Sequence, residues 1–162
     1  MGDWDLGGGI QWWGGTTMLG TDASDLDAGQ YATHAWALDA QAQGSISAMP
    51  LGVYVSYASA EKSEAGDPEN IFNAATDDKT AWALIGELGV IPNKTTVSLA
   101  YRSGDKGTAT DNEQTALTLG VSHLTAQNLQ FQLNHSLYGG DAYDPKPPDG
   151  DQLTTLMLFT AF

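Results

Sequence analysis

The feature that most constrains this chain is a two-residue alternation that returns in segment after segment. In residues 129–137 (LQFQLNHSL) every odd position except His135 is apolar, and every even position is polar. The same rule sets Leu117, Leu119 and Val121 against Thr118, Gly120 and Ser122, and Val97, Leu99 and Tyr101 against Ser98, Ala100 and Arg102. Leu51, Val53, Val55 and Tyr57 make another such face, opposite Gly52, Tyr54, Ser56 and Ala58. Successive side chains of an extended strand point to opposite faces, whereas a helix repeats every 3.6 residues. These segments are therefore expected to be strands, each with one greasy face and one polar or small face. Abundant glycine, aromatics and threonine lean the same way.

Eight segments follow from this period: residues 4–13, 31–42, 49–58, 80–91, 96–103, 115–123, 129–138 and 153–162. The last is free of charge and ends on Phe162. It has the length that a tilted strand needs to cross a bilayer, about 9–11 residues, and roughly half that of a spanning helix. No internal apolar run approaches the ~18 residues of a helical span. The start of the chain lacks a basic stretch followed by an apolar one, so no signal peptide is expected in it. At 162 residues the whole chain, 1–162, reads as one domain with enough length for a real core.

The links alternate as regularly as the strands. After the second, fourth and sixth segments they are short: residues 43–47, 92–94 and 124–127. After the first, third, fifth and seventh they are long and polar: 14–30, 59–79, 104–114 and 139–152. An up-and-down antiparallel order places all the long links at one end and the short turns at the other. Charge sorts with them, because of the twenty acidic residues only Asp3, Asp5, Asp39 and Glu87 lie outside the long links. The net charge of −14 argues against nucleic acid, whose phosphates need a basic footprint. The absence of cysteine excludes disulfides, thiolate metal sites and cysteine nucleophiles.

Aromatics mark the border between strands and long links: Trp12 and Trp13, Tyr31, Tyr57, Trp82, Tyr101 and Tyr138. Trp4 and Phe162 mark the opposite end. Even strand count, one-sided long polar links and an aromatic ring match the anatomy of a membrane β-barrel. On these features the chain resembles the Gram-negative outer-membrane β-barrels of porin type. The resemblance implies an all-β, eight-stranded, antiparallel up-and-down transmembrane barrel with long extracellular loops and short periplasmic turns. It also implies a bacterial outer-membrane location and a non-enzymatic role, as a narrow passive conduit or a structural surface barrel. Phe162, with Leu156 and Leu158 on its face, would be the signal read by the barrel-assembly machinery. The lipid bilayer would be the main partner, and lipopolysaccharide another, through divalent cations. Two other readings stay open: a soluble ligand-binding barrel of the lipocalin or avidin kind, weakly echoed by Gly2-Asp3-Trp4, and the C-terminal strands of a larger porin.

With the greasy faces outward, the lumen is expected to be lined by Asp39, Glu87, Arg102, Gln130, Gln132 and Asn134, among others, with Glu87 and Arg102 paired. The last strand should close the barrel against the glycine-rich first one. His135 and Ser136 alternate to opposite faces and so cannot act as base and nucleophile, and neither His34 nor His123 suggests catalysis. Asp22, Asp25 and Asp27, with Asp141 and Asp144, are weak Ca²⁺ or Mg²⁺ candidates, since neither spacing matches an EF-hand. No cofactor and no committed metal site are expected.

Overall fold

The computed structural model describes residues 3–18, 30–62, 70–73, 75–143 and 150–160, and the side chains of 16–18 and 30–33 are left aside. Eight strands form one antiparallel sheet in chain order: β1 (Asp5–Met18), β2 (Gln30–Ile46), β3 (Met49–Ala60), β4 (Lys79–Ile91), β5 (Thr95–Asp105), β6 (Glu113–Ala126), β7 (Leu129–Gly139) and β8 (Gln152–Thr160). All eight predicted segments are strands, and most run a few residues further into their links than the alternation alone suggested. Period two fades at strand ends, where Gly, Thr and Ser occupy both faces, while the backbone ladder continues.

Two of the three short turns are tighter than the sequence suggested, while the β4–β5 turn spans residues 92–94 as expected. Only Ser47 and Ala48 separate β2 from β3, and both take positive φ, 50° and 66°. That is the left-handed geometry of a type I′ hairpin, whose twist suits the flanking strands and whose usual occupants are Asn and Gly. Neither residue is one of these, and an L-residue in this region costs about 1–2 kcal/mol. Replacing Ser47→Asn together with Ala48→Gly should therefore stabilise the fold by about 1–2 kcal/mol. An unchanged urea midpoint would show that the strain lies elsewhere. The β4–β5 turn uses Asn93 at φ 59°, with Lys94 N–H donating to Ile91 O at 2.9 Å. A register shift between Leu88 and Ile91 precedes it.

The sheet is curled. A single cavity is lined by residues from every strand from β2 to β7, which is possible only on the inside of a strongly bent surface. The pairing registers then assign every strand position to a face. One concave row runs Gln43, Gly52, Glu87, Ser98, Gly120, Asn134, Thr155 from β2 to β8. A convex row runs Ala40, Val55, Leu84, Tyr101, Leu117, Leu137 from β2 to β7. The greasy register is the outer one. Its large side chains lie open to the surroundings, with Leu156 71% and Leu99 51% exposed. The buried apolar core is correspondingly small: among the described residues it holds only Ala35, Ala116 and Ala142.

Among the described residues each strand touches only its chain neighbours, and β1 and β8 make no contact with one another. The expected seam between the last strand and the glycine-rich first one is not seen among the described residues, and the sheet is not closed there. Both edge strands are unusual in composition. β1 presents Gly7 and Gly9 on its concave register, and Asp39 and Gln41 of β2 lean over the space they leave, with Asp39 Oδ2 2.8 Å from where a Cβ of Gly9 would lie. β8 carries Leu153, Met157 and Phe159 on its concave register and Leu156 and Leu158 on the other, so it is apolar on both faces.

Candidate functional site

The concave face holds two hollows of opposite character. Near the short turns, a cavity of about 420 Å³ is lined by Gln43, Tyr54, Glu87, Lys94, Thr96, Ser122 and Gln130, among others. Near the long links, a cavity of about 660 Å³ is lined by Ala37, Ala58, Ala81, Ala83, Ala116, Arg102, Tyr138 and Tyr143. A third hollow, about 340 Å³, shares Ala58, Ala81, Gly104 and Gln114 with the second and adds Trp13, Lys79, Asp105 and Lys106. One end of the concavity mixes polar side chains with Pro50, Leu51 and Leu124, and the other is walled largely by alanine methyls.

The expected lumen residues Asp39, Glu87, Arg102, Gln130, Gln132 and Asn134 all fall on the concave register. The expected Glu87–Arg102 pair does not form. Glu87 stands opposite Ser98, and Arg102 opposite Ala83. Four residues of strand separate the two, or roughly 13 Å at about 3.3 Å per residue, and each lines a different cavity. The two lie on neighbouring strands, as expected, but neighbouring strands bring together only residues at equal distance from the turn, and these two are at different heights. Asp39 lies in the Arg102 row, through Ser56 and Ala83, but its carboxylate covers Gly9 at the sheet edge. Gln132 Nε2 donates to Asn134 Oδ1 at 3.3 Å.

The aromatic ring is present on the convex side with changed membership. Trp36 and Tyr57 have ring centroids 5.1 Å apart, Trp82 and Tyr101 5.0 Å, and Trp12 lies 6.2 Å from His34. The indole of Trp12 spreads over Gly14, where any side chain would collide with it. Gly14→Val should therefore displace that ring and alter tryptophan fluorescence with little change in β content; an unchanged emission spectrum would contradict the packing. Tyr138 does not belong to the ring. It pairs with Ala116 on the concave register and stacks on Tyr143 at 5.7 Å. Trp13 is also concave, against Phe72 at 6.3 Å, and Trp36 takes its place outside. Both displaced residues differ from the ring by one step of parity, which a reading by height along the strand ignores. Tyr31 is described only through its backbone, which pairs with Thr17.

The long links lace together over the apolar end. Asp77 N–H donates to Gly107 O at 3.2 Å, Lys106 Nζ to Ala142 O at 2.7 Å, and Ala142 N–H to Glu113 O at 2.9 Å. Gly107 has φ 73°, and a Cβ there would lie 2.7 Å from Asp77 O, so glycine is required. Two buried asparagines pin the β3–β4 link, Asn70 to His34 O and Glu61 O, and Asn73 to Ala60 O and Asp77 O. Nothing in the residue pattern singles them out, since an asparagine in a loop reads as a turn former.

All three histidines sit on the convex register, and two of them bond to threonines across the ladder. His123 Nδ1 lies 2.8 Å from Thr95 Oγ1, and His135 Nδ1 2.8 Å from Thr154 Oγ1. Ser136 faces the other way, 2.8 Å from Thr118 Oγ1, as the alternation required. Of the acidic candidates, Asp141 accepts from Glu113 N–H at 2.8 Å. Asp22, Asp25, Asp27 and Asp144 lie outside the described residues, as does Phe162. Among the described residues no three His, Asp or Glu side chains gather as a metal site. Comparison with family models, with curated proteins and with solved structures finds no match, so the site stands on its own chemistry.

Proposed function

We propose that this sheet is the membrane wall of an outer-membrane β-barrel protein, porin-like and non-enzymatic. Its convex face meets lipid, and its concave face lines a narrow conduit or a structural lumen. The observation that carries the reading is the polarity of the curl. From β3 to β7 leucine and valine stand mostly outside, while glutamine, serine, asparagine, alanine and glycine stand mostly inside. A soluble barrel of the lipocalin or avidin kind needs the reverse. Bilayer thickness suits the strands, and the convex aromatic pairs sit on the side of the long links, where an interfacial belt belongs. The long acidic links would face the outside medium, with divalent cations as bridges to lipopolysaccharide phosphates, and the barrel-assembly machinery would act on the β8 end.

Unpaired strand edges are prohibitive in lipid, so the β1 and β8 edges must be satisfied. The absence of any β1–β8 contact favours a second form of the reading, in which these are eight strands of a larger porin-like barrel. The chain has no cysteine, so engineered pairs report cleanly on the seam. Ile10→Cys or Leu6→Cys on β1, each combined with Leu156→Cys or Leu158→Cys on β8, should cross-link within one chain in micelles if eight strands close. Failure of every combination in a heat-modifiable, β-rich protein assigns the sheet to a larger barrel. Monomeric solubility without detergent would sink both forms.

A further inference from the structure

We infer that the long-link half of the concave face binds an organic monocarboxylate with an apolar, aromatic or branched, body. The inference uses only the accessible concavity, and it holds whether or not the sheet spans a bilayer.

The first ground is charge. The chain has six basic residues against twenty acidic ones, yet Lys79, Arg102 and Lys106 all line the two joined hollows at this end. Among the described residues the only acid lining them is Asp105, and both its oxygens are engaged, accepting from Gly107 N–H at 2.7 Å and Asn112 Nδ2–H at 3.1 Å. Lys106 is committed to Ala142 O. Arg102 has no hydrogen-bond or ion-pair partner among the described residues. A strongly acidic protein has thus placed half its cations around one hollow, with a guanidinium in its wall that is unpaired among the described residues.

The second ground is shape and polarity. The main hollow, about 660 Å³, falls within the roughly 300–1,000 Å³ of small-molecule sites. Its wall is five alanine methyls opposite the stacked Tyr138–Tyr143 pair. A planar, five-donor guanidinium matches a carboxylate fork, while methyls and ring faces match an apolar body. A sugar or a small inorganic ion would leave that wall uncovered. A cation would meet Arg102.

The test uses the whole chain in zwitterionic micelles, titrated calorimetrically with 4-phenylbutyrate and with its neutral amide. The carboxylate should bind saturably and the amide roughly tenfold or more weaker, because a charge-assisted bond is lost. Arg102→Gln should remove that preference and Arg102→Lys should restore part of it. Ala81→Phe, which fills the hollow from another strand, should abolish binding of both ligands with β content intact. Equal binding of acid and amide, an acid preference that survives Arg102→Gln, or no saturable binding in the folded protein would each overturn the inference.

Discussion

Leu99→Arg is expected to cost about 2–4 kcal/mol of folding stability in a bilayer and close to nothing in water. Leu99 stands near the middle of β5 on the convex register, half exposed, with Gly86 and Leu119 as its ladder partners. In water an arginine at such a site keeps its hydration and changes stability by no more than about 0.5 kcal/mol. In hydrocarbon the guanidinium has no partner, since neither Gly86 nor Leu119 can accept a hydrogen bond through its side chain. Gln132→Arg, on the concave register between Ser122 and Met157, supplies the control. It should be nearly neutral in lipid, because that face is already polar. Urea unfolding in phosphatidylcholine vesicles measures both variants. Equal costs for the two would remove the distinction between a lipid face and a lumen face.

Asn73→Ala should release the link between β3 and β4. Asn73 is 1% exposed, donates to Ala60 O at 3.1 Å and Asp77 O at 2.9 Å, and accepts from Ala75 N–H at 2.9 Å. Removing one side chain leaves those backbone groups without these bonds in a place water reaches poorly, at about 1–3 kcal/mol for each unmet group. Asn70, 3% exposed, holds the other end of the same turn to His34 O and Glu61 O, both at 2.8 Å. The loss is local, because the strands on either side keep their ladders. It should therefore appear as faster proteolysis within residues 61–78, by at least about tenfold for each 1.4 kcal/mol, with the global unfolding midpoint moving little. Phe72 would leave Trp13, so tryptophan emission should shift in parallel. Proteolysis at the parental rate would mean that the link is held by something other than its asparagines.

What was legible in the sequence is what period two can encode. Strand number, order, the alternation of short and long links and the two-faced character of β3 and β5 to β7 came from single positions such as Leu117, Thr118 and Leu119. Which face curls inward was not encoded in any one strand, because concavity belongs to the sheet. It became visible only when Ala37, Ala83 and Arg102 lined one hollow. Cross-strand partners were illegible for a related reason. The Glu87–Arg102 expectation used only their being on neighbouring strands, whereas the register sets Glu87 opposite Ser98 and Arg102 opposite Ala83. Tyr138 was misplaced because height along a strand was used without parity. The buried asparagines could not have been found, since their partners are backbone carbonyls, which every residue carries.

The strictly sequential contacts of the sheet have a further consequence, for how such a molecule can grow or be divided. With each strand bonded only to its chain neighbours, stability is close to a sum of intrinsic strand terms and neighbour terms, as in repeat proteins. Adding or deleting one hairpin leaves every other ladder and every inside–outside assignment unchanged, whereas a single strand would reverse the direction of the next. The architecture therefore grows or shrinks by two strands at a time, and the long polar links bound the units β2–β3, β4–β5 and β6–β7, while a single cut at one of them leaves an odd number of strands on each side. Cut within the β5–β6 link, the chain becomes two modules, β1 to β5 and β6 to β8, that share one ladder of eleven residue pairs, Thr95↔His123 to Asp105↔Glu113. That single border is the whole of the strand-to-strand interface through which the two halves recognise each other.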